Sequence, residues 1–226
     1  MILLTIDTVA NLCAAGVWDT QSGRELGRCV RDPGKGHAEM LMSVIDAALA
    51  AAGKQYPDLG GVAVAVGPGS FTGIRVGVSA ARGLALALSI PSTGVSTLDA
   101  LADEARAAFP GRPVLVALDA RRDEIYVAAY GADDAQPGLP RIVKLPEAAG
   151  LARRDAPVLA GNAAGTIAQA AGGGFDIAAD AATADIATYA RLAVRRGFSG
   201  EKPRPLYLRG ADAKPQEGFA LPRSDA

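Results

Sequence analysis

The segment Val62–Leu88, VAVAVGPGSFTGIRVGVSAARGLALAL, carries the pattern with the most chemical promise. An apolar run, a glycine-rich break and a helix-like run form the arrangement in which backbone N–H groups and a helix N-terminus hold phosphate. The break itself does not meet the requirements of such loops. GPGSFTGIR lacks the Gly-Lys-[Ser/Thr] that serves the terminal phosphates and Mg²⁺, lacks GxGxxG spacing, and loses one N–H donor to Pro68. A rigid turn that sets the angle of the following helix is the preferred reading, with anion binding at the N–H groups of Ser70 to Gly73 as the alternative. His37 is the one histidine, and GHAE supplies one imidazole and one carboxylate without the Cys/His spacing of a zinc site. No GxSxG elbow offers a nucleophile, so a structural or interface role at a helix start suits His37 better than catalysis. Asp7 and Asp119 are the best acid candidates, because each ends an apolar strand-like run where a carboxylate would face an inter-lobe cleft. Asp7 would there suit a Mg²⁺-bound water, whereas LDARRDE around Asp119 has arginines where a phosphate-binding turn wants glycines.

The elements that would position these residues follow from periodicity and breaks. Ile2–Ile6, Leu12–Trp18 and Arg24–Val30 read as strands, with DTQSG as a turn; a helix is predicted over 37–52. Val62–Val66 reads as a buried strand and Ile74–Leu88 as a second helix. Ser96-Thr97 with Asp99 caps a third helix, Leu98–Phe109. PGRP at 110–113 is the candidate linker, dividing an N-terminal lobe, 1–109, from a smaller C-terminal lobe, 110–210. Beyond it LLTIDTVANLCAAGVW (3–18) recurs as VLVALDARRDEIYVAAY (114–130), with Asp7 matched to Asp119 and Trp18 to Tyr130. This reads as an internal duplication of a strand-Asp-strand unit. A strand, turn and helix are expected over 157–171 and a capped helix over Thr183–Arg196; PLYLR is the ordered part of the terminal region and 211–226 a mobile tail.

Bulk properties exclude several classes. The 226 residues are 50% apolar with a formal charge of −1, so there is core enough for one large or two small domains and no electrostatic footprint for unaided nucleic-acid binding. Cys13 and Cys29 sit in apolar runs without CxxC spacing and read as reduced core thiols. No signal peptide and no uninterrupted bilayer-spanning apolar run are evident, so a cytoplasmic location is expected.

Both leading helices are apolar nearly all round. On Ile74–Leu88 the polar residues Arg75, Ser79 and Arg82 form one narrow stripe; on 37–52 the stripe is Glu39, Ser43 and Asp46. A helix of this kind is covered on more than one side, and a domain of this size lacks the layers to bury both. An exposed apolar patch made by the pair, and hence a protein–protein interface, is expected. The oppositely charged stripes would also be able to pair with each other.

LLTIDTVANLCAAGV, GHAEML, GPGSFTGIRVG, VSTLDAL, LDARRDEIYVAAY and LYLR closely resemble the TsaB (YeaZ) family of the bacterial tRNA threonylcarbamoyladenosine machinery, strongly over residues 1–130 and loosely beyond. The resemblance implies an α/β, actin-like and sugar-kinase-like ATPase fold of two duplicated lobes with a degenerate nucleotide site. It implies a non-catalytic, cofactor-free subunit, a paralogue of the catalytic subunit TsaD without the metal-binding histidines. Such a subunit pairs with TsaD through its first two helices and is joined by the ATPase TsaE. The complex moves threonylcarbamoyl from the adenylate made by TsaC to the adenosine beside the anticodon of ANN-reading tRNAs. A homodimer through the same patch is expected when TsaD is absent, and tRNA is met only through the complex. On this reading the partner surface comprises His37, Met40, Leu41, Val44, Ile45 and Ala48 with Gly73, Ile74, Gly77, Val78, Ala81 and Ala85. Asp7, Ser70, Thr72 and Gly73 are candidates for a residual nucleotide or anion contact. Ala38 and MLM (40–42) depart from the Ser and LLP usual in the family, leaving the apolar character intact. A sugar- or acyl-kinase-like phosphotransferase using Asp7 and the 67–73 loop is the competing enzyme reading. A peptidase, a label some relatives have carried, is disfavoured by the lack of an activated nucleophile.

Overall fold

The computed structural model describes residues 1–34, 36–132, 138–198 and 200–208; the expected tail, 211–226, lies outside them. Two five-stranded sheets dominate. The first contains β1 (Ile2–Asp7), β2 (Cys13–Asp19), β3 (Arg24–Arg31), β4 (Leu59–Ala65) and β5 (Ser92–Val95) in the order β3-β2-β1-β4-β5. The second contains β6 (Val114–Asp119), β7 (Glu124–Tyr130), β8 (Arg141–Lys144), β9 (Val158–Ala160) and β10 (Ile177–Ala179) in the order β8-β7-β6-β9-β10. In each, an antiparallel hairpin is extended by parallel strands on the side of its first strand. β1 and β4 are covered on both faces, which is why they read as continuous apolar runs rather than as alternation.

The helices complete five layers. α1 (His37–Ala51) and α2 (Phe71–Leu88) lie side by side on one face of the first sheet. α6 (Ile186–Arg196), although last in sequence, packs on the opposite face of that sheet. α3 (Thr97–Ala108) crosses the other way to pack on the second sheet, whose far face carries α4 (Leu145–Asp155) and α5 (Ala164–Ala170). Alternation along β6 shows the arrangement: Val114, Val116 and Leu118 join the large core shared with the first sheet, while Leu115 and Ala117 join a second cluster beneath α4 and α5. This is an α/β architecture in which one sheet-and-helix plan occurs twice, as the repeat in the sequence implies. By length and hydropathy α2 could pass for a membrane-spanning segment although Arg75 and Arg82 interrupt it; here Gly73, Ile74, Gly77, Val78, Ala81 and Ala85 pack into the fold.

α2 begins at Phe71, three residues before the predicted start, because Ser70 caps it: its hydroxyl accepts the Gly73 N–H at 3.2 Å. α6 begins at Ile186, later than the predicted Thr183, with Asp185 as the cap accepting from Ala187 N–H at 2.8 Å.

Candidate functional site

The duplicated turns behave alike in the backbone and differently in the side chain. Asp7 Oδ1 accepts the Val9 N–H at 2.9 Å, and Asp119 Oδ1 accepts the Arg121 N–H at 2.7 Å. Asp119 is exposed and its own N–H donates to Asn162 Oδ1 at 2.9 Å. Asp7 is 2% exposed, and its Oδ2 accepts the Thr183 hydroxyl at 2.6 Å. That hydroxyl lies 2.6 Å from Tyr189 Oη on α6. Burial pushes the Asp7 carboxyl up to about 6, against the opposing pull of the Thr183 and Val9 hydrogen bonds and of His37. A carboxylate enclosed in this way joins the two lobes and does not line the cleft.

The glycine loop is clamped onto the β1–β2 turn. Ser70 N–H donates to Val9 O at 2.7 Å, and the Thr8 hydroxyl donates to Gly73 O at 2.7 Å. A Cβ added to Gly73 would stand 1.9 Å from Thr8 O, so the glycine is required by close approach of backbone to backbone. The loop faces a cleft of about 910 Å³ between the lobes, lined by His37, Phe71 and Thr72 on one side and Arg121, Tyr126 and Asn162 on the other. Of the N–H groups from Ser70 to Gly73, the outer two are already bonded. Those of Phe71 and Thr72 are first-turn donors without intrahelical partners. The arrangement can accept a weakly held anion, and among the described residues no lysine lines the cleft. His37 is half-buried at the rim, and its Nε2 has no hydrogen-bond partner among the described residues.

The two helices offer a different surface from the one read in the sequence. Leu41, Val44, Ile45 and Ala48 on α1, with Gly73, Ile74, Gly77, Val78, Ala81 and Ala85 on α2, are buried in the chain's own core. They occupy the i, i+3, i+4, i+7 stripe that faces the sheet, so they position the helices instead of furnishing the surface. His37 and Met40 are half-buried. The exposed apolar residues include Met42 and Ala47 on α1 with Leu86 on α2, while Val76, Ala80 and Leu84 are half-buried against the core. Leu86 is 78% and Met42 46% exposed, more than a helix layer covered within its own chain would leave. The signal that could have found them is the complement of the branched stripe, since small residues and a leucine remain apolar on the side away from the sheet.

The charged stripes also differ from expectation: among the described residues no ion pair joins Glu39 or Asp46 to Arg75 or Arg82. Asp46 instead accepts the Tyr56 hydroxyl at 2.6 Å. Arg75 Nε donates to Tyr207 Oη at 2.8 Å, with its guanidinium 3.7 Å from the Phe71 ring centroid.

Comparison with known proteins agrees with this geometry. The family model described as TsaD, tRNA N6-adenosine threonylcarbamoyltransferase, matches residues 31–191. The tRNA threonylcarbamoyladenosine biosynthesis protein TsaB of Escherichia coli K12 is 36% identical over 135 residues, covering 59% of this chain and 57% of that protein. TsaB of Buchnera aphidicola from Schizaphis graminum is 34% identical over 129 residues, 57% of this chain and 60% of that one. The chain thus matches somewhat over half the length of these curated relatives. The solved structure of YeaZ from Pseudomonas aeruginosa superposes with a TM-score of 0.72 at 27% identity, covering 92% of this chain and 99% of that one. With its sequence and fold of the TsaB and YeaZ kind, the chain belongs to the tRNA N6-adenosine threonylcarbamoyltransferase family.

Proposed function

We propose that this chain is a non-catalytic scaffold and activator subunit in tRNA threonylcarbamoyladenosine synthesis. It binds a TsaD catalytic subunit through the outer face of α1 and α2, and TsaE joins the pair. The complex then transfers threonylcarbamoyl from threonylcarbamoyl-AMP to N6 of the adenosine beside the anticodon of ANN-reading tRNAs. The tRNA is engaged through the complex, in the cytoplasm, and without TsaD the same face serves self-association. The observation that carries this reading is the uncovered outer face of α1 and α2, with Leu86 and Met42 presented to solvent and Phe71 exposed at the start of α2. Support also comes from Asp7, the acid that would serve phosphate chemistry, which is enclosed with Thr183 and Tyr189 away from the cleft.

The test is association with purified TsaD followed by light scattering. Leu86→Asp places a carboxylate on the outer face, and an interface anchor of this type is worth about 2 kcal/mol or more, about thirty-fold in Kd. Loss of binding with an unchanged thermal midpoint supports the reading, and binding equal to wild type refutes it. Val78 is unsuitable for this purpose, since it is 3% exposed and an aspartate there would unfold the chain. The cleft of about 910 Å³ keeps a second reading open to experiment, a residual nucleotide or anion contact at Ser70, Thr72 and Gly73. ATP binding by the isolated chain at millimolar concentration, lost in Thr72→Asp, would favour the phosphotransferase alternative.

A further inference from the structure

The last described residues are anchored at the start of α2. Leu206 N–H donates to Val66 O at 2.8 Å, and Tyr207 Oη accepts Arg75 Nε–H at 2.8 Å with its ring 5.6 Å from that of Phe71. Lys202 stands near the other end of the helix, beside Ser89 and Ile90, so the segment 202–208 runs along α2 from its last turn to its first. The chain therefore leaves Leu208 beside the exposed row of α2 that carries Arg75, Ser79 and Arg82.

At the last turn of α2 lies a groove of about 420 Å³. Ala85, Leu86, Ile90 and Pro91 give it an apolar lining, and Arg82 and Lys202 are its charged residues. Neither cation has an ion-pair partner among the described residues. Leu86, at 78% exposure, is the most solvent-accessible large apolar residue of α2. A groove of this composition selects a bulky apolar side chain carried close to a single carboxylate. Water leaves the apolar floor, and the acid meets positive charge that nothing else neutralises.

The sequence of the chain itself holds such a segment. Residues 209–226 lie outside the described residues; their large apolar side chains are Phe219 and Leu221, and Glu217 is the one charged residue from 216 to 222. Arg75 and Leu86 are eleven residues apart on α2, roughly 16 Å along the helix. Leu208 and Phe219 are also eleven residues apart, and a chain of that length spans up to about 36 Å. The groove is thus within reach of Phe219 with slack. A tether of this length holds its end at an effective concentration on the order of millimolar, so a contact too weak to persist between separate molecules is populated within one.

Resting on the reading of this face as the partner surface, we propose that residues 216–222 dock in this groove, with Phe219 and Leu221 against Leu86 and Ile90 and Glu217 at Arg82 and Lys202, covering one end of the partner surface until another protein displaces them. Because the occupant belongs to the same chain, the cover is independent of protein concentration. A competing partner meets an affinity lowered by the fraction of chains in which the groove is free.

A nitroxide spin label on Ser224→Cys in the full chain tests the docking by nuclear magnetic resonance. Cys13 and Cys29 are buried, which leaves the new thiol as the reactive one. The label should broaden the amide signals of residues 82–92 and leave those of α4 and α5 sharp, and Phe219→Ser with Leu221→Ser should abolish the broadening. In that double variant, without the label, association with TsaD should tighten at least about three-fold. Docking is overturned if the broadening at 82–92 is absent or survives the double variant. It is also overturned if spin-labelled chains broaden unlabelled, isotope-enriched chains equally, which assigns the contact to a second copy. Competition is overturned if docking is present and the double variant binds TsaD as wild type does. The spin label reports on the chain without TsaD, so the two readings separate. Broadening at 82–92 together with unchanged TsaD binding by Leu86→Asp leaves the docking standing and removes the partner surface, and the competition with it.

Discussion

The two lobes repeat one element order, three strands, helix, strand, helix, strand, and then each sends a final helix onto the other's sheet. Their outer helix layers nevertheless differ. α1 and α2 have 15 and 18 residues and expose Met42 and Leu86, whereas α4 and α5 have 11 and 7 and expose Glu147, Arg153, Arg154 and Gln169. The matched turns diverge in the same direction, with Asp7 enclosed and Asp119 open to solvent. One copy of the repeat has the longer helices, with apolar residues left exposed on them, and an enclosed acid; the other has short helices and an open acid. Duplication preserved the backbone plan and left each lobe free to specialise in what it exposes.

The comparison breaks most visibly at a glycine pair. Gly73→Ala in α2 would press a Cβ to 1.9 Å from Thr8 O, which should cost about 4 kcal/mol or more and unfold the loop or the chain. Gly165→Ala in α5 meets nothing within 4 Å and should stabilise by about 0.5 to 1 kcal/mol. Urea unfolding of the two variants checks both signs at once.

The aspartate pair gives the next largest effect. The carboxyl of Asp7 moves from 3.8 to about 6 on folding, so the fold holds its proton more tightly than the unfolded chain does. This contribution to stability is fully present below the unfolded value and is lost as pH rises from about 4 to about 6. Asp7→Asn keeps an acceptor for Val9 and a group for Thr183, so it should stabilise the chain at pH 7 by about 2 to 3 kcal/mol and remove that slope. Asp119→Asn, at an exposed position, should change stability at pH 7 by less than about 0.5 kcal/mol. Denaturant titrations at pH 4, 5, 6 and 7 distinguish the two copies, and equal behaviour would show that the enclosure of Asp7 is not what separates the lobes.

Much of the repeat could be read from residues alone. The alignment of Asp7 with Asp119 follows from identical intervals between apolar runs, and the strands around both are nearly continuous in Leu, Ile, Val and Ala. The short elements of the second lobe were less legible. β8, RIVK, and α4, with proline as its second residue and a double arginine near its end, resemble a solvated linker until β7 is present to pair with β8. Most of the residues expected at a partner surface are buried in the chain for a related reason. An all-round apolar helix shows that both sides are covered, and only the sheet decides which side it takes. It took the branched stripe through Val44, Ile45, Ile74 and Val78. Thr183 had no signal as a partner of Asp7, because 176 residues separate them and no local pattern marks the pairing.

That exchange of helices bears on how the chain is made. α6, which packs against β1, β2, β4 and β5, leaves the ribosome only after every strand of both sheets has been synthesised. Until then the inner face of the first sheet, including Leu3, Thr5 and the Asp7 carboxyl, has no lid, and the chain cannot settle one lobe before beginning the next as consecutive domains do. A nascent chain halted before residue 186 should hold its first sheet in a loosely packed, protease-sensitive state, awaiting the segment that completes it.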